Sequence, residues 1–80
     1  MRMTWETLPS IEEGKELIEL SLCLMGKVQP HKAKAIGQVL IRYLAFCEQE
    51  GRVSPEEREE YIHRAGQALE DSKEVNHVHQ

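Results

Sequence analysis

AKAIGQVLIRYLAFC, residues 33–47, is the densest apolar run in the chain and holds two of its four aromatic side chains, Tyr43 and Phe46. At about 100° per residue, Ala33, Ile36, Val39, Leu40, Tyr43, Leu44, Phe46 and Cys47 spread over roughly half the circumference of a helix. His31, Gln38, Arg42 and Gln49 take the other side. A stripe that wide is more than one neighbouring helix covers, so the stretch predicts a central helix with packing partners on two sides.

Its ends are marked. Pro30 suits a first helical position, where its missing N–H would have no partner anyway, and Gly51 suits the position just past the last turn, near Glu50. Upstream, Ser10 and Glu13 carry the S-x-x-E spacing of a capping box. A first helix is expected from there through IEEGKELIELSLCLM to about Met25, with Gly26 closing it in a left-handed conformation. It presents two apolar rows, Ile11, Ile18, Leu22 and Met25 beside Leu17, Leu24 and Val28. Gly14 and Gly37 fall within the apolar arcs of the two helices and predict a tight crossing. The link from Gly26 to Pro30 is short enough to force the helices antiparallel.

Downstream, Ser54-Pro55-Glu56-Glu57 supplies an N-cap, a proline at the first helical position and a capping-box glutamate. The helix it starts is expected to reach Ser72 or Lys73. Its apolar stripe is narrow, Tyr61, Ile62, Ala65, Ala68 and Leu69, with Arg58 and Ser72 intruding. The sequence therefore predicts a single all-α domain over residues 1–80: an antiparallel helical hairpin plus a third, peripheral helix, a three-helix bundle. Residues 1–9 are expected to form an irregular arm, with Trp5 lying back on the bundle as an apolar anchor or meeting a partner. Residues 74–80, EVNHVHQ, are expected to fray.

A chain of 80 residues has a marginal core, and domains this small lean on disulfides, a metal or oligomerisation. Cys23 and Cys47 are too few for a disulfide scaffold and fall about 20 Å apart in the hairpin, beyond bridging distance. With no apolar h-region near the start and no run of about 18 apolar residues, a cytoplasmic protein outside the membrane is expected. Cys47 reads as a buried structural thiol and Cys23 as an exposed one, with no neighbouring cation to activate it. His31 and His63 read as surface residues, and His77-Val78-His79 lacks a third ligand for a metal. No metal or cofactor is expected.

The carboxylate pairs Glu12/Glu13, Glu56/Glu57 and Glu59/Glu60 sit in first turns or on solvated faces. General acid–base chemistry needs a carboxyl in a cleft, and no nucleophile stands beside a base, so no enzyme is expected. The net charge of −4, from 14 acidic and 10 basic residues, argues against nucleic acid, whose binding needs a basic face. The alternative reading uses His31, Lys32, Lys34 and Arg42 at the start of the second helix, but the glutamates of the third oppose a recognition helix.

What the sequence offers in surplus is apolar surface. A lone three-helix bundle would leave part of the Leu17, Leu20, Leu24 row, or Ile41 and Phe46, in water, and such patches mark interaction surfaces. The expectation is a two-fold homodimer whose first two helices form a four-helix core, a small regulator, adaptor or inhibitor that binds another protein. Trp5, Leu20, Leu24, Ile41 and Phe46 are the candidate contacts, and dimer core and partner site are drawn from the same set.

Overall fold

The computed structural model of the chain describes residues 9–78, with side chains described for 9–74. It contains three helices and, among the described residues, no strand: α1 (Ile11–Met25), α2 (Pro30–Gln49) and α3 (Pro55–Val78). All three pack on one another around a single cluster of Ile18, Leu22, Met25, Ala33, Leu40, Leu44, Ala65 and Ala68. The expected all-α three-helix bundle is the fold.

The helix starts follow local chemistry. Ser10 Oγ accepts the Glu13 N–H at 3.1 Å, and the Ser10 N–H donates to Glu13 Oε1 at 3.0 Å. The same reciprocal pair recurs between Ser54 and Glu57, at 3.1 and 2.8 Å. In each, two orphan donors of a first turn are satisfied without water. Pro30 opens α2 with no side-chain cap from Gln29.

The helix ends divide. Gly51 has φ +73°, and the Arg52 and Gly51 N–H groups return to the Cys47 and Glu48 carbonyls at 2.7 and 3.1 Å. That is the 6→1 and 5→2 pairing of a Schellman motif, and only glycine takes the left-handed turn without a Cβ penalty. Gly26 is different from expectation: at φ −72° and ψ −10° it stays right-handed. The chain leaves α1 by a tighter turn in which the Lys27 N–H donates to Leu24 O at 2.9 Å.

The glycines of the expected crossing do not face each other. A Cβ on Gly14 would stand 2.5 Å from the Tyr43 hydroxyl, and one on Gly37 would stand 3.0 Å from the end of Met25. Each glycine makes room for a large side chain of the other helix rather than for its backbone. Burial of the Tyr43 hydroxyl in this niche pushes its pKa up.

α3 lies over one side of the hairpin and reaches the core with small residues, Ala65 and Ala68. It continues to Val78, past the expected stop at Ser72 or Lys73, and the backbone of 74–78 is helical where fraying was expected. Ser72 is no terminator: it is fully buried, and its hydroxyl donates to the Val28 carbonyl in the α1–α2 turn. Neither glycine nor proline follows Gly66 to break the helix. The expectations for residues 1–8, Trp5 among them, and for His79 lie outside the described residues.

Ion pairs orient α3 on α1. Lys15 Nζ meets Glu57 Oε2 at 2.9 Å, and Arg64 grips Glu19 with both terminal nitrogens, one at 2.8 Å, while lying 5.7 Å over the Tyr61 ring. Arg58 joins α3 to Glu48 of α2 at 3.0 Å. The Arg64–Glu19 pair is exposed and the other two are half-buried, so each stays in partial contact with water and contributes modest energy.

The carboxyls involved carry a pH prediction. Ser54's backbone N–H, then Lys15, hold the Glu57 carboxyl below its ordinary value of 4.5; Ser10 does the same for Glu13 and Arg64 for Glu19. A pKa lower in the folded state than in the unfolded chain means the unfolded state binds the proton more readily. The contribution is therefore complete above pH 4.5 and is lost as pH falls through the folded values beneath it. Melting temperature should be level above pH 5 and fall in acid, and Glu57→Gln should be less stable near neutrality with a shallower acid limb. An acid limb identical to wild type would exclude Glu57 from this role.

Candidate functional site

Helix geometry leaves the hairpin with two unlike sides. On α1 the buried line is Gly14, Ile18, Leu22 and Met25, and on α2 it is Ala33, Gly37, Leu40, Leu44 and Cys47. One flank of α1 carries Lys15 and Glu19 toward α3. The opposite flank carries Leu17, Leu20 and Leu24, three and four residues apart and thus on one face, and all three are exposed. The matching flank of α2 carries Ala35, Ile36, Val39, Tyr43 and Phe46.

Between these flanks runs a groove of about 440 Å³ lined by Leu17, Ile18, Ser21, Ala35, Ile36, Val39, Leu40 and Tyr43. Its lining holds no charged residue. Val39 is 66% exposed and Leu20 61%, the two most open large apolar side chains of the described residues. Tyr43 and Phe46 stack, with ring centroids 6.3 Å apart, and close the end of the face nearer the start of α1. Among the described residues none covers this side of the α1/α2 layer, which is bare in that sense, while α3 covers the other.

Ile41 belongs elsewhere. It is 41% exposed and lines a second, smaller groove of about 270 Å³ between α2 and α3, with Met25, Lys34, Gly37, Gln38, Ile62, Ala65, Gly66 and Leu69. Helix geometry therefore puts Leu20 and Leu24 on the α1 flank and Phe46 on the α2 flank of one side, outside the lining of its groove, and places Ile41 on another side. Val39, counted in the sequence with the apolar arc and not among the contacts, is the most exposed member of the bare face. The signal was present: Val39 lies at the margin of the arc, a third of a turn from the line through Leu40 and Leu44.

The basic residues of the alternative reading, His31, Lys32, Lys34 and Arg42, are all exposed. They are spread around α2: Lys34 borders the groove against α3, whereas Arg42 borders the bare face. From Pro30 to Cys47 the helix carries no acidic residue.

Both cysteines are free thiols, Cys23 exposed and Cys47 buried. Among the described residues no group of three or more His, Cys, Asp or Glu side chains is placed to hold a metal ion. The side chain of His77 and all of His79 lie outside the description. Of the paired carboxylates, Glu13 and Glu57 serve as caps held by Ser10 and Ser54, and Glu57 also pairs with Lys15. No helix of the described residues is long and apolar enough to cross a membrane.

No protein-family model, curated protein or solved structure matches the chain.

Proposed function

We propose that the chain is a non-enzymatic protein-interaction module, a homodimeric regulator, adaptor or inhibitor that pairs through the bare α1/α2 face and meets another protein with surface left free. The observation that supports this is that Leu17 and Val39 stand exposed in the lining of a charge-free groove, with Leu20 and Leu24 exposed on the same flank of α1 beside it. An apolar face of two helices in water is unfavourable in proportion to its area, and burial against a like face removes the cost. Four helices then enclose a core of the ordinary bundle kind, and the α2/α3 groove with Ile41 stays open for a different protein. The setting is cytoplasmic.

Size exclusion with light scattering at micromolar concentration tests the pairing. Twice the chain mass of 9.2 kDa is expected, and a strict monomer would defeat it. A second reading has its own observation, the acid-free basic stretch of α2 that holds His31, Lys32, Lys34 and Arg42. It proposes nucleic acid as the partner. A mobility shift with duplex DNA that weakens steeply with salt would favour it over protein binding; no shift removes it.

A further inference from the structure

The bare face is self-complementary in a way that selects one arrangement of two copies. Gly14 lies beside Tyr43 and Gly37 beside Met25. Within about one turn, that register puts Leu20 level with Val39, Leu24 with Ala35 and Glu16 with Arg42 on the two helices of one chain. Leu20 and Val39, the most exposed of the apolar side chains, thus mark the middle of the face.

The edges differ in charge. Glu13 and Glu16 border the face along α1, and Arg42 borders it along α2, with Lys32 nearer that helix's start; all four are exposed. A face with one acidic and one basic edge repels a copy laid like on like and attracts a copy laid like on unlike.

We propose that the bare face is covered by a second copy of the chain about a two-fold axis running along the helices, so that α1 of each lies on α2 of the other and Glu16 meets Arg42 across the interface. This rests on the homodimer reading and specifies its geometry. Every neighbouring pair of helices is then antiparallel, as in an up-down four-helix bundle. Leu20 meets the partner's Val39, and Leu24 meets the partner's Ala35, large against small. Two-fold symmetry makes the Glu16–Arg42 pair twice.

The competing axis runs across the helices and lays α2 on α2, still centred on Val39. It sets Arg42 against the partner's Ile36, with no carboxylate of α2 at that level. An arginine covered without a partner is costly, which disfavours that axis. On the proposed axis Lys27 and Lys32 come level at the ends of the face, where their long stems extend into water.

A charge-exchange experiment in trans tests the arrangement. Glu16→Arg alone makes two Arg–Arg encounters, and Arg42→Glu alone makes two Glu–Glu encounters, so each variant should dimerise about tenfold more weakly than wild type. Mixed in equal amounts, the two variants regain both opposite-charge pairs, and dimers should return to within about threefold of the wild-type affinity. Far-UV circular dichroism checks that each variant is folded. Should either fail to fold, the wild-type dissociation constant is measured from low to high salt: weakening is expected from screened pairs, and no weakening overturns the proposal. A wild-type dimer whose single variants are unaffected, or whose mixture is not restored, overturns the arrangement and leaves the homodimer standing. A wild-type monomer overturns both.

Discussion

Leu44→Ala should cost about 2–5 kcal/mol of folding stability, the largest single-residue effect expected in the chain. Leu44 is wholly enclosed, in the same cluster as Ile18, Leu22, Met25, Leu40, Ala65 and Ala68. Two of its neighbours from α3 are alanines, which have no rotamers with which to fill a void. The cavity left by three missing carbons therefore stays largely open, and its lining loses dispersion contacts as well as transfer energy. A domain has about 5–15 kcal/mol in total, and one this short buries too little surface to be at the upper end. The variant should show a urea midpoint lowered by a large fraction of its wild-type value at an unchanged slope. Leu44→Met, which conserves volume, should cost less than about 1.5 kcal/mol. A loss below about 1 kcal/mol for the alanine would mean that α3 collapses into the space and that the core is plastic at this point.

Such a result would also bear on what can be read from one sequence. The starts of α1 and α3 were legible because their chemistry is local: Ser10 with Glu13 and Ser54 with Glu57 satisfy each other within four residues. The end of α2 was legible for the same reason, since Gly51 alone decides the turn. Gly26 misled because a glycine permits the left-handed conformation without requiring it. The four-residue return from α1 to α2 instead uses right-handed geometry and the Lys27–Leu24 bond.

Ser72 looked like an interruption in a narrow apolar stripe. Its carbonyl partner, Val28, is 44 positions earlier in the chain, and no periodicity reports a contact at that distance. The same limit governs the candidate site. Sequence showed that α1 and α2 carry more apolar surface than one neighbour hides, but not which row is hidden. That depends on which side of the hairpin α3 occupies. That side is the one on which Ala65 and Ala68 join the core and Lys15 meets Glu57 and Arg64 meets Glu19, partners 42 and 45 residues apart. Once α3 takes that side, Leu17, Leu20, Leu24 and Val39 are left out together and Ile41 is separated from them.

Exposure makes the second large effect opposite in kind to the first. Leu20→Glu combined with Val39→Glu should leave the isolated chain folded and abolish its pairing. Both side chains are more than half in water, and substitutions at such positions change monomer stability by no more than about 0.5 kcal/mol each. In the paired state the same positions are the centre of the apolar face. There each copy would bury two carboxylates, each level with a carboxylate of the other copy, and like-charge repulsion adds to a desolvation cost of several kcal/mol. The dissociation constant should rise by at least about a hundredfold, the scale of a central hot spot. The sedimenting species at micromolar concentration should then be the 9.2 kDa chain. Association that stabilises the fold makes the wild-type melting temperature rise with protein concentration, and this dependence should vanish in the double variant while its helical signal persists. Ile41→Glu is the matched control, because it lies in the α2/α3 groove and should leave pairing intact. If the double variant still pairs and Ile41→Glu does not, the groove against α3 is the interface between copies, and the bare α1/α2 face is free for a different protein.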